Sequence, residues 1–235
     1  MQIMKDYEPA WTESSIGVEF VWVPGGCFEM GSNAGCFDEK PVHKVCVDGF
    51  WMGKYEVTQG QWQKIMGNNP ARFKKGRDFP VEHVSWEDCR LFIGKLNGRS
   101  GKIFRLPTEA EWEYACRSGG LEEKYAGGND LGLVAWYRSN SNSSTHAVCS
   151  KTANGLGLYD MSGNVWEWCS DWYGKNYYSS SPTDNPQGPS SGLLRVNRGG
   201  SWDYYSWGLR SAYRSRYVPS SRYISLGFRL VYPRR

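Results

Sequence analysis

Six large aromatic side chains, Tyr204, Tyr205, Trp207, Tyr213, Tyr217 and Tyr223, crowd the stretch from Asp203 to Ser225. Between them stand Asp203, Ser206, Gly208, Ser215, Arg216, Val218, Ser221, Ile224 and Ser225. This mixture suits gripping better than bond-breaking. Tyrosine and tryptophan give contact area with few rotors to freeze, and serine and glycine adapt to what is gripped. Tryptophan, tyrosine and arginine also dominate binding energy at many interfaces. No cysteine lies beyond Cys169, so the stretch has no thiol.

The other reactive residues are scattered. Seven cysteines, at 27, 36, 46, 89, 116, 149 and 169, form no CxxC pair, which argues against a zinc site. Cys27 and Cys46 sit in strand-like segments separated by a loop and can cross-link them in an oxidising compartment. Cys89 and Cys116 fall on helix faces and read as small core residues. The histidines are His43, His83 and His146, without HxxxH or HxxEH spacing.

The elements that must position these groups begin with three helices. Each is announced by an N-cap hydroxyl answered three residues later by an acceptor side chain. The pairs are Thr58 with Gln61, Ser85 with Asp88, and Thr108 with Glu111. After Ser85, Trp86, Cys89, Phe92, Ile93 and Leu96 recur at helical spacing, which predicts one buried face. "VEFVWVPGG" from Val18, "HKVCVDGFWMG" from His43 and "GFRLVY" from Gly227 read as strands. Between Gly119 and Arg195 the chain is rich in Gly, Asn, Ser and Asp with scattered aromatics, and a long stretch of that kind is usually functional or specifically held. No linker divides the 235 residues, so residues 1–235 read as one α+β domain.

The composition, 40% hydrophobic and 22% charged, is that of a soluble globular protein. A net charge of +4 is no nucleic-acid signature. No apolar run is long enough to span a bilayer, and the N-terminal "MQIMKDYEPAWTESS" lacks the apolar core of a signal peptide.

Several stretches together resemble the formylglycine-generating enzyme, or sulfatase-modifying factor, family. They are "GGCFEMGS" at Gly25, "KYEVTQGQW" at Lys54, "PVEHVSWEDC" at Pro80, "RLPTEAEWEYACR" at Arg105, "GLGLYDMSGNVWEWCSDWYG" at Gly155, "RVNRGGSW" at Arg195 and "LGFRLV" at Leu226. The resemblance implies a C-type-lectin-like fold with few helices, short strands and much irregular structure. Its enzymes carry a cysteine pair shortly after the RGGS turn, which binds copper and activates oxygen. Those positions fall near Tyr204 and Leu209, where there is no thiolate for a soft metal. The related sulfoxide synthases need an iron-binding histidine set, also missing. Neither copper nor iron is expected, and the chain reads as non-catalytic. The resemblance also implies a calcium ion held by Asp160 and Glu167 through carboxylates and by Gly163 and Val165 through carbonyls, donors that suit a hard cation.

From Asp203 to Arg235 there is no Lys, Glu, Gln or Met. Each of the residues named at the outset except Trp207 can be written by a codon ending in C, reachable from the asparagine codon AAC by changing its first two bases. Trp207 is reachable from AGG. Interleaved are scaffold-like residues, Arg210, Ala212, Arg214, Pro219, Arg222 and the closing "LGFRLV". The pattern resembles the variable proteins of diversity-generating retroelements, which mutate template adenines and several of which use a C-type-lectin scaffold. It implies a variable ligand-binding region over 198–231, with protein or other surface macromolecules as partners and a bacterial cell surface or secreted location. Ligand contacts at the six aromatics require them exposed on one continuous face.

Overall fold

The computed structural model describes residues 10–233. The polar N-terminal stretch read from the sequence lies mostly outside them. Ten short strands and four helices succeed one another. They are β1 (Ala10–Glu13), β2 (Val18–Val23), β3 (Gly26–Met30), β4 (His43–Val47), β5 (Phe50–Gly53), α1 (Gln59–Met66), α2 (Trp86–Ser100), α3 (Glu109–Cys116) and α4 (Leu131–Val134). Then come β6 (Trp166–Trp172), β7 (Arg195–Arg198), β8 (Ser215–Tyr217), β9 (Leu226–Gly227) and β10 (Val231–Pro233).

The three capping boxes form as read. The Thr58, Ser85 and Thr108 hydroxyls accept from the backbone N–H three residues on, and Gln61, Asp88 and Glu111 reach back to the cap N–H. Gly67 and Gly101 close α1 and α2 in the left-handed conformation. Cys89 and Cys116 are buried, and Cys27 is bonded to Cys46 across β3 and β4.

The strands differ from the expectation. Val18–Gly26 is not one strand, because Pro24 and Gly25 separate β2 from β3 and send them to different sheets. Asp48 and Gly49 divide β4 from β5 in the same way. A turn thus costs each long strand its middle but lets the chain cross between layers. One sheet has the order β1-β2-β5-β10, a second pairs β3 with β4, and the third has the order β8-β7-β6-β9. The third sheet carries the C-terminal segment: β6 runs antiparallel to β7 and parallel to β9, and β7 is antiparallel to β8.

A small apolar core gathers Tyr125, Val134, Ala135 and Leu209, and two larger ones carry the rest. One gathers Val45, Phe50, Met52, Trp112 and Cys169 under α3, and the other gathers Phe20, Trp62, Phe92, Trp166, Trp168 and Phe228 under α1 and α2. Trp62, Phe92 and Phe228 meet at ring-centroid distances of 5.3 to 6.1 Å. No helix among the described residues is long and apolar enough to cross a membrane.

Candidate ligand-binding face

The C-terminal segment is held by its arginines. Arg198 ends β7, is fully buried, and donates to Glu113 of α3 with Glu109 at 3.7 Å. Arg214 donates to both oxygens of Glu109 at 2.7 Å and to the carbonyl of Asp38 at 2.8 Å. Arg229 grips Glu167 through two bonds of 2.6 Å. Arg210 grips Glu39 through bonds of 2.7 and 2.6 Å. Arg222 grips Asp88 at the surface. Two-pronged guanidinium–carboxylate pairs fix orientation as well as distance.

Electrostatics follows from burial. Desolvation alone would raise the Glu113 carboxyl, but Arg198 and Arg117 beside it hold it below the usual carboxylate range. Burial would likewise lower Arg198 and Arg214, but their carboxylate partners hold both above the usual arginine value. The turn after Arg198 needs two glycines. Gly199 and Gly200 have φ of 97° and 77°, and a Cβ on Gly200 would lie 2.8 Å from Leu209.

On this frame the aromatics form two groups. Tyr204, Tyr205, Trp207 and Tyr213 meet ring to ring, with Tyr204–Trp207 at 5.0 Å and Trp207–Tyr213 at 5.2 Å. Tyr217 and Tyr223 meet at 4.5 Å. Burial raises the Tyr217 phenol, and Tyr223, Tyr204 and Asp203 add to the rise. Exposure is uneven. Tyr205, Trp207 and Tyr223 are 51%, 46% and 46% exposed, with Ser206, Arg216, Val218 and Ile224 also exposed. Arg138 lies over the Tyr205 ring at 4.8 Å. Asp203, Ser215 and Ser221 are half-buried. Beside Ile224 opens a pocket of about 360 Å³ lined by Arg72, Lys74 and His83.

The expectation of six fully exposed rings is therefore corrected. Tyr204, Tyr213 and Tyr217 are half-buried because their inner edges pack on Trp166 and Trp168 of β6. Two further positions present no side chain to solvent. Gly208 is buried, and a Cβ there would meet the Tyr204 ring at 2.2 Å. Ser225 is buried, its carbonyl accepting from the N–H of Trp166.

Of the side chains expected to hold calcium, Glu167 is already engaged by other partners. Both oxygens of Glu167 are taken by Arg229, and one also accepts from the Trp112 indole at 2.7 Å. A guanidinium thus already neutralises this carboxylate. Asp160 accepts from the backbone N–H of Cys149 at 2.9 Å. The N–H of Gly163 donates to Gly199, and Val165 is buried beside it. No group of three or more metal-ligating side chains forms among the described residues. Nor do Tyr204 and Leu209 fit copper, since Leu209 has no donor atom and is fully buried.

Sequence reasoning missed the acidic half of the frame. Glu109 and Glu113 are buried on α3, between Ala110, Trp112 and Ala115. Glutamates spaced through an otherwise apolar helix were the available signal. Glu56 was also missed: it is fully buried, and neither carboxylate oxygen has a hydrogen-bond partner among the described residues. Burial pushes its carboxyl well up, and Asp160 and Glu167 nearby push it further.

The profile of the sulfatase-modifying factor enzyme 1-like domain matches residues 8–233. The chain belongs to this family. The formylglycine-generating enzyme of Streptomyces coelicolor is 44% identical over 64% of this chain and 51% of its own. The serine/threonine-protein kinase pkn1 of Chlamydia caviae is 35% identical over 90% of this chain, which spans only 37% of that kinase. Among solved structures, Treponema denticola variable protein 1 superposes with a TM-score of 0.89 at 32% identity, over 96% of this chain and 99% of that one. The family's C-type-lectin-like fold, with few helices and short strands, is thus the fold of this chain.

Proposed function

We propose that this chain is a non-catalytic, receptor- or adhesin-like binding protein of a bacterial surface or its surroundings, whose residues 198–231 form a ligand-binding region diversified by a retroelement. One observation carries the reading: along the segment, residue class and burial alternate together. Arg210, Arg214 and Arg222 are paired to carboxylates and Ala212 and Leu226 are buried, while Tyr205, Ser206, Trp207, Val218, Tyr223 and Ile224 face outward, as does Arg216, which also reaches Asp38 at 3.3 Å. Of the fifteen variable-type positions seven are exposed, six are half-buried and two, Gly208 and Ser225, are buried, and none carries one of the buried ion pairs. The likeness to a variable protein over nearly its whole length supports the same reading. The partners are proteins or other surface macromolecules, met by a rigid aromatic face.

Sequencing the flanking DNA and sister isolates tests this. A neighbouring reverse transcriptase and a template repeat with adenines at these codons are expected, with differences confined to those codons. Differences spread equally over Arg210, Arg214 and Leu226 would defeat it. The kinship with formylglycine-generating enzymes favours a second reading, a sulfatase-modifying oxidoreductase. Oxygen uptake with copper and a CxPxR-type sulfatase peptide, above that of heat-denatured protein, would replace the first reading with the second.

A further inference from the structure

The two-stranded sheet of β3 and β4 has unlike edges. Cys27 faces Cys46 and Glu29 faces Lys44 across the ladder. The Cys46 N–H donates outward to the Thr183 carbonyl at 2.7 Å, and its carbonyl accepts from Asn185 at 2.8 Å. Cys27–Cys46 is therefore a non-hydrogen-bonded pair, as its Cα separation of 3.9 Å also indicates. By the same alternation the N–H and C=O groups of Cys27 and Glu29 point away from β4. The 183–185 segment covers the outer edge of β4. Nothing among the described residues hydrogen-bonds to the outward groups of Cys27 and Glu29.

Along that bare edge runs a groove of about 720 Å³, lined by Phe28, Glu29, Lys44, Arg117, Leu121 and Glu122 among others. Arg117 is spent on Glu113 and the Gly31 carbonyl. Glu29, Glu122 and Lys44 are in no ion pair among the described residues, which leaves the groove with one more unpaired carboxylate than ammonium in a chain of net charge +4. Leu121 is 59% exposed at its wall, next to Gly120, whose backbone approaches Phe28.

We propose that the outer edge of β3 is a docking site for an extended segment of a partner protein, which adds to the sheet as a third strand. The segment carries a basic side chain opposite Glu29 and an apolar one opposite Phe28, where it meets Leu121. Backbone bonds supply affinity in this mode, and alternate side chains supply selectivity. The far edge of the same sheet already accepts such a segment from this chain. A second copy is disfavoured as occupant, since antiparallel pairing of two β3 edges about Phe28 brings the two Glu29 side chains onto one face. The proposal is independent of the ligand-binding face.

The probe is a blocked, fluorescein-labelled heptapeptide alternating lysine and valine, read by anisotropy and by amide hydrogen exchange. It is expected to bind wild type and to slow exchange at the Cys27 and Glu29 amides. Glu29→Pro removes one outward donor while leaving the β3–β4 ladder bonds intact, and should weaken binding about tenfold more than Glu29→Gln, which removes only the charge, the difference being the worth of one hydrogen bond. The same peptide N-methylated at alternate amides should not bind wild type, a control that stands even if Glu29→Pro fails to fold. Absent binding, binding indifferent to N-methylation, or slowed exchange elsewhere would overturn the proposal. So would concentration-dependent dimerisation protecting the same two amides, which would show a second copy there.

Discussion

Beneath the C-terminal segment lies a lattice of buried ion pairs, Arg198 and Arg214 on Glu109 and Glu113 and Arg229 on Glu167. Above it lie the rings of Tyr205, Trp207 and Tyr223, half in solvent and bonded to no carboxylate among the described residues. The two sets alternate within a few residues of each other, yet they answer to different constraints. A buried guanidinium cannot change without stranding its partner's charge. An exposed ring on a held backbone can change with little consequence for folding. A chain that must vary what it binds while keeping its fold gains from separating the two duties residue by residue.

The comparison breaks most sharply at the lattice. Arg214→Met leaves the Glu109 carboxylate buried and should destabilise by about 3–5 kcal/mol, as read from denaturant unfolding. A loss below that of the exposed aromatics would mean the pair is not what holds the segment. Next come the rings that belong to both sets. Tyr204→Ala and Tyr213→Ala, each packed on Trp166, should cost about 1–3 kcal/mol.

Glu56 sharpens the picture from the other side, as a buried carboxylate that no arginine bonds. Glu56→Met should stabilise the protein at pH 7 by about 1–3 kcal/mol, the cost of an unsatisfied buried polar group. Its folded pKa is raised, so the ionisation-linked part of the wild-type penalty is absent below the unfolded value near 4.3 and grows as pH rises toward the folded one. The advantage of Glu56→Met should therefore shrink on acidification from pH 7 to about 4. An advantage constant with pH would place the effect in packing instead. Smallest of all, chelation followed by added calcium should leave the melting temperature unchanged, because Arg229 already neutralises Glu167. A fall on chelation that calcium reverses would restore the cation reading.

Much of this was legible in the sequence, and what was not had a common cause. Helix caps are local, so Thr58, Ser85 and Thr108 announced their helices. The scaffold role of Arg210, Arg214 and Arg222 was readable from their fixed spacing among variable-type residues. Their partners were not, because Glu39, Glu109 and Asp88 lie more than a hundred residues away. The strand β6 was read as part of a loop-rich stretch, since Glu167 and Asp171 are buried charges that mimic surface residues. The half-burial of Tyr204, Tyr213 and Tyr217 was hidden for the same reason, since it depends on where β6 sets Trp166 and Trp168.

The central claim is that the outward residues are dispensable to the fold. Its most direct test is the melting temperature of a variant with Tyr205, Ser206, Trp207, Arg216, Val218, Tyr223 and Ile224 all changed to alanine, beside that of Arg214→Met alone. At about 2–4 °C per kcal/mol for a chain of this size, the single buried substitution should lower melting by roughly 6–20 °C. The sevenfold surface variant should lose less than that and unfold in one cooperative transition. If it instead loses more than Arg214→Met, the face is part of the core and the ligand lies elsewhere.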